Sequence, residues 1–127
     1  MPFRIRVVDN GRLVLVRATG PADERDWEKL LAAPACGRSP PPDLLIDLRQ
    51  RRDLPSTEMV RSVMSRLAER TEGFRTVALV VRPGAQFGVA RIASTFAGLE
   101  GATVEAFLQA REALDWIRAR GATLPAS

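Results

Sequence analysis

The chain has 127 residues, 46% of them hydrophobic and 27% charged, with a formal net charge of +4; that is the composition of one ordinary globular domain long enough to bury a proper core. Histidine and tyrosine are absent and cysteine occurs once, at Cys36. These absences exclude the Ser-His-Asp and Cys-His arrangements of nucleophilic catalysis, remove the commonest metal ligand, make a structural zinc site untenable and leave no internal disulfide.

In chain order, Phe3 to Val8 alternates Phe3, Ile5 and Val7 against Arg4 and Arg6, the period-two pattern of a half-buried strand. Asp9-Asn10-Gly11 is a turn signal, because Asn and Gly tolerate the positive φ of tight hairpins. Arg12 to Ala18 sets Leu13 and Leu15 against Val14 and Val16, so this strand is predicted to be covered on both faces and to pair antiparallel with the first. Gly20-Pro21 breaks it. Asp23 caps a predicted helix to about Ala33 that carries Trp27, Leu30 and Leu31 on one face. Pro34 ends that helix, and Ala35 to Pro42, with three consecutive prolines, reads as a stiff, exposed connection.

The stretch from Asp43 to Leu67 organises the chain. Leu44-Leu45-Ile46, carried through Asp47 to Leu48, is a strand, and Arg49 to Asp53 is a charged loop. Pro55-Ser56-Thr57 starts a helix in which Met59, Val60, Val63, Met64 and Leu67 recur at helical spacing, so the unit is the first half of a βαβ. Glu72-Gly73 stops the helix. Thr76 to Val81 is nearly all apolar and β-branched, the signature of a parallel strand buried on both faces. After Pro83-Gly84 a helix from about Gln86 to Ala97 places Phe87, Ala90, Ala93, Phe96 and Ala97 inward. Gly98 to Gly101 ends it, Thr103 to Phe107 is a fifth strand, and Arg111 to Arg120 a last helix with Gly121 as its C-cap and Ala122 to Ser127 as a frayed tail.

The order β-β-α-β-α-β-α-β-α makes residues 1–127 one α/β domain with a mixed five-stranded sheet and about four helices. Right-handed crossovers make its last three strands parallel. No apolar run approaches the roughly 18 residues of a membrane-spanning helix. MPFRIRVVDNGR lacks the regions of a signal peptide, so the expected location is cytoplasmic. The arginines are interleaved with acids, as in Arg66 to Arg70, and are not clustered with aromatics on one element, a pattern that argues against a dedicated nucleic-acid binder.

The order resembles the STAS fold of anti-anti-sigma factors, and more closely the SpoIIAA-like (STAS/SEC14-type) family of small bacterial proteins. Arg82-Pro83-Gly84-Ala85-Gln86-Phe87-Gly88-Val89-Ala90-Arg91 is similar to that family's fourth-strand loop and following helix. Phe107, with Glu112-Ala113-Leu114-Asp115-Trp116-Ile117, resembles its closing strand and helix. In anti-anti-sigma factors a phosphorylatable hydroxyl sits in an Asp-Ser-Ser-Gly-like turn after the third strand. Aligned on Ile46-Asp47-Leu48, that turn falls on Pro55-Ser56-Thr57-Glu58. The resemblance makes Ser56 and Thr57 the candidate phospho-switch or partner contact. Pro55 replaces the Asp, however, and Glu58 the Gly, so the switch turn is degraded; the residues themselves read Ser56 as an N-cap.

Two further sites follow from the topology. The carboxyl ends of the parallel strands are where open α/β sheets bind ligands; Arg49, Arg51, Arg52 and Arg82, with helix starts near Ser56 and Gln86, form a candidate anion site there. Met59, Met64, Phe87 and Phe96 form a candidate apolar cleft between the two middle helices, or else plain core. Asp47 and Asp53 are the nearest carboxylate pair, with no reason to converge. The expected function is a non-enzymatic regulatory or protein-interaction module without cofactor or metal. The alternatives are a carrier of a small apolar or amphipathic ligand and a module that forms homodimers through an exposed helix face.

Overall fold

Five strands lie side by side in the order in which the chain makes them, β1 Phe3–Val8, β2 Leu13–Ala18, β3 Asp43–Asp47, β4 Val77–Val80 and β5 Val104–Phe107. The computed structural model describes residues 3–32, 42–51, 54–69 and 74–123. β1 and β2 are antiparallel, and β2 through β5 are parallel neighbours. The hairpin turn is made by Asp9, Asn10 and Gly11 at φ 54°, 56° and 85°, left-handed values that this Asp-Asn-Gly run accommodates.

The helices α1 Glu24–Ala32, α2 Thr57–Glu69 and α3 Ala85–Leu99 connect successive parallel strands, and α4 Ala110–Thr123 follows β5. Crossovers of one hand between strands laid down in one direction fall on one face of the sheet. Accordingly α1, α2 and α3 pack in a row on what we term the front face, and α4 lies on the back against β3, β4 and β5.

The front core joins Val14, Val16, Leu44, Ile46, Val77 and Leu79 of the sheet to Leu30, Val60, Val63, Met64, Leu67, Ala90, Ala93 and Ala97 of the helices. The back core joins Leu13, Leu45, Ala78 and Val80 to Ala113 and Ile117, with Phe107 and Trp116 tilted ring to ring at 5.4 Å. Consecutive residues of β2, β3 and β4 therefore serve opposite cores, which is why those strands are apolar throughout. One helix does not span a five-stranded sheet, and among the described residues nothing covers the back face of β1 and the end of β2. There the side chains are Arg4, Arg6 and Arg17.

Several local expectations are refined. Asp23 caps α1 through its Oδ1, which accepts the Asp26 N–H at 2.8 Å, while Asp26 Oδ2 accepts the Asp23 N–H at 3.0 Å. This is the reciprocal capping box with Asp in both roles. The alternation in β1 buries only Phe3, edge-on to Trp27 at 4.9 Å; Ile5 and Val7 are 41% and 51% exposed because they lie beyond the cover of α1. Pro42, predicted at the end of an exposed connection, is buried, and its carbonyl accepts the Arg75 N–H at 2.8 Å. The rest of that connection, 33–41, lies outside the described residues, as do Glu72-Gly73 and the tail 124–127. Gly121 is not a C-cap, since α4 continues through Thr123.

The amino end of β3 holds one buried charge. Asp43 is 7% exposed. It receives a bidentate pair from Arg75, Nε to Oδ1 at 2.9 Å and Nη2 to Oδ2 at 2.7 Å, and the Thr76 hydroxyl at 2.6 Å. With its oxygens so filled, the carboxylate has exchanged water for fixed donors. The pairing raises the Arg75 pKa above its ordinary value, chiefly through the hydrogen bonds to Asp43.

Candidate functional site

The site begins where the parallel strands stop. The Leu48 N–H donates to the Val80 carbonyl at 2.8 Å, one step beyond β3, and the Arg51 N–H turns back to the Leu48 carbonyl at 3.0 Å. This tight turn leaves the Leu48 and Arg51 carbonyls facing the start of α3. The Gln86 side chain fills that gap. Its Nε2 donates to the Leu48 carbonyl at 2.8 Å and more weakly to the Arg51 carbonyl at 3.4 Å, while its Oε1 accepts the Arg82 main-chain N–H at 2.6 Å. Arg82 adds a charged donor, Nη2 to the Arg51 carbonyl at 2.6 Å. One amide and one guanidinium thus clasp the β3–α2 loop to the β4–α3 loop. Gly84, at φ 91°, makes the sharp entry to α3 that sets Gln86 in place.

Beneath the clasp is a cavity of about 80 Å³ between the sheet and the front helices. Ile46, Leu79 and Val81 form its floor, Val63, Met64 and Ala90 its roof, and Leu54, Pro55 and Met59 its outer rim. Arg51, 5% exposed, lines it beside Gln86. Leu54 at the rim is 47% exposed.

Ser56 caps α2, its Oγ accepting the Met59 N–H at 3.1 Å. Thr57 is exposed on the first turn beside the exposed Glu58, and its hydroxyl has no hydrogen bond among the described residues. The three described arginines of the candidate anion site are held by separate partners or buried. Arg49 turns to the back face and grips Asp47 with Nε to Oδ1 at 3.0 Å and Nη2 to Oδ2 at 2.9 Å, and Arg51 is buried at the front. Arg82 is held by the Arg51 carbonyl, and Arg52 lies outside the described residues with Asp53.

Partial burial raises the Asp47 pKa, but the Arg49 side-chain and main-chain hydrogen bonds and the charges of Arg49 and Arg17 outweigh it. The carboxyl titrates below its ordinary 3.8. The same pairing raises Arg49.

Of the four cleft residues, Met59 and Met64 line the cavity, and the other two do not. The Phe96 ring carries the Arg61 guanidinium at 5.0 Å, and Phe87 has Arg91 at 5.9 Å. Both rings are half-buried against the front core. The Arg61–Phe96 contact and a Ser65 hydroxyl bond to Glu100 at 3.0 Å fasten α2 to α3. The residue missed by sequence reasoning is Gln86. Its position four residues after Arg82 is visible in the chain, but its role depends on two carbonyls more than 30 residues earlier.

Among the described residues no group of three or more His, Cys, Asp or Glu side chains gathers as a metal site, and no helix is long and apolar enough to cross a membrane.

A parallel sheet in sequential order with a leading hairpin, three helices in front and one behind is an α/β architecture found among solved structures. The crystal structure of an uncharacterised protein of the DUF3478 family, with a SpoIIAA-like fold, from Shewanella loihica PV-4 is similar to this chain, with a TM-score of 0.62 at 23% identity over 90% of each chain. The chain has the SpoIIAA-like fold. No family model matches the sequence, and no curated protein does.

Proposed function

We propose that this chain is a non-enzymatic protein-interaction module of the STAS-like regulatory kind, with its contact surface on the two clasped loops. The observation that carries this reading is the clasp itself. Gln86 and Arg82 join the β3–α2 and β4–α3 loops into one surface on which Leu54 is half-exposed and Thr57 leads α2. Their polar groups are turned inward to main-chain partners, so what the surface offers a partner is shape and an apolar anchor. The fold resemblance points to the same edge, where anti-anti-sigma factors carry their switch.

Phosphorylation is not the control in this reading. The Ser56 hydroxyl is engaged as the cap of α2, and a phosphate on Thr57 would gain from the helix N-terminus but lie beside Glu58. The carrier reading stands second: it rests on the cavity under the clasp, whose size weighs against it. At about 80 Å³, it is smaller than the roughly 150 Å³ that admits a benzene ring, which is too little for an acyl chain.

A photo-crosslinking amino acid at position 57 tests the module. In lysate of the source organism it is expected to give one discrete protein adduct, suppressed by Leu54→Asp and absent when the crosslinker stands at position 118 on α4. Equal labelling from both positions overturns the reading. So does native mass spectrometry that finds a non-covalent apolar molecule lost on denaturation and on Val63→Phe.

A further inference from the structure

The back face of the sheet carries a second concavity, away from the clasp. It lies between α4 and the uncovered strands and encloses about 340 Å³. Leu15, Leu45 and Leu114 give it an apolar floor and one apolar wall, and four arginines, Arg4, Arg6, Arg17 and Arg49, rim it against a single aspartate, Asp47.

The placement of these charges follows from strand register. Arg4 stands directly opposite Arg17, and Arg17 directly opposite Asp47. Arg6, opposite Leu15, is on the same face. Like charges set directly across a sheet destabilise it. The one acid present relieves them only in part: Asp47 feels the Arg17 charge, but both its oxygens accept from the Arg49 fork. Several arginines elsewhere have partners: Asp43 for Arg75, Glu28 for Arg66, the Phe96 ring for Arg61, the Arg51 carbonyl for Arg82. Arg4 and Arg6 have none among the described residues, and Arg17 has only the attraction of Asp47, with no hydrogen bond or close ion pair.

We propose that this groove binds a small organic oxyanion, a phosphate or carboxylate joined to a compact apolar portion. The oxyanion meets Arg4, Arg6 and Arg17, whose planar donors suit it, and the apolar portion rests on Leu15, Leu45 and Leu114. The volume is in the range of small-molecule sites. It lies at the carboxyl ends of β2 and β3, where α/β sheets take ligands. The rim offers no aromatic ring on which a nucleic-acid base would stack. Like-charged arginines held opposite each other are the kind of local cost that a binding site carries.

Phenyl phosphate is the test ligand, with inorganic phosphate, benzoate and uncharged benzyl alcohol beside it, read by NMR shifts of leucine methyls and arginine Nε. Phenyl phosphate or benzoate is expected to move Leu15, Leu45 and Leu114 together with Arg4, Arg6 and Arg17. Arg4→Gln/Arg6→Gln is expected to weaken that binding about tenfold while the melting temperature holds or rises by about 1–3 °C, as relief of like-charge opposition implies. Which of the two acids binds more tightly separates phosphate from carboxylate. Binding of benzyl alcohol alone, of an oligonucleotide or anionic vesicle in place of both acids, or of nothing overturns the proposal. A fall of several degrees in the double variant also overturns it, by making these arginines structural.

Discussion

Arg82 reaches from the end of β4 to the main-chain carbonyl of Arg51 at 2.6 Å, and Gln86 bridges the same two loops one turn further on. A charged donor on a partly buried carbonyl contributes about 1–2 kcal/mol, and loss of Gln86 removes a donor to the Leu48 carbonyl and the acceptor of the Arg82 N–H at a similar cost. Arg82→Ala and Gln86→Ala are each expected to destabilise by about 1–2 kcal/mol. Because they share the Arg51 carbonyl, their effects are expected to couple by about 0.5–1 kcal/mol. Urea denaturation of the two single variants and the double variant measures this, and strict additivity would mean the clasp is two independent bonds.

The two hydroxyls at the start of α2 are expected to behave differently. Ser56→Ala removes the acceptor for the Met59 N–H and is expected to cost about 1 kcal/mol. Thr57→Ala removes an exposed hydroxyl and is expected to stay within about 0.5 kcal/mol. Equal losses at both positions would contradict the assignment of Ser56 as the cap.

At the opposite end of β3, Asp43→Ala leaves Arg75 unpaired and the buried Thr76 hydroxyl without its acceptor. The loss is expected to be about 2–3 kcal/mol, moderated because Arg75 regains water. Thermal unfolding of Asp43→Ala beside Arg75→Ala checks it, with the aspartate variant the less stable of the two.

Asp47 gives a pH dependence. Its folded pKa is depressed below its ordinary 3.8, with the Arg49 bonds outweighing burial, so the unfolded chain takes up the proton more readily. The stabilisation is present above about pH 4 and is lost as the pH falls through the lower, folded value. Asp47→Asn is therefore expected to lie below the wild type near neutrality and to converge on it toward pH 3. A gap that stays constant across that window would show that the carboxylate charge is not the source.

The front cavity leaves space for a methylene at its roof. Val63→Ile is expected to gain up to about 0.8 kcal/mol, and Met64→Ala, which enlarges the space, to lose about 2–4 kcal/mol. Chemical denaturation midpoints measure both. A loss for Val63→Ile would mean that the roof has no slack.

The strands and helices were legible in the chain because their signals are local. Asp9-Asn10-Gly11 tolerates positive φ, Asp23 and Ser56 cap helices by their chemistry, and the unbroken apolar runs at Leu44–Ile46 and Val77–Val80 require cover on both faces. From the strand order and the fixed hand of crossovers, the parallel sheet follows as well. Individual side-chain partners did not follow. Arg49, Arg51 and Arg82 are near one another in any loop reading, yet the pleat sends Arg49 to the back, the turn at Leu48 buries Arg51, and a carbonyl captures Arg82. Arg4 and Arg17 look like scattered surface charge until antiparallel register sets them opposite each other and the single back helix leaves them uncovered. Periodicity along the chain determines which face a residue takes; what it meets there is set by register and by which helix covers that face, and those exist only once distant segments have packed.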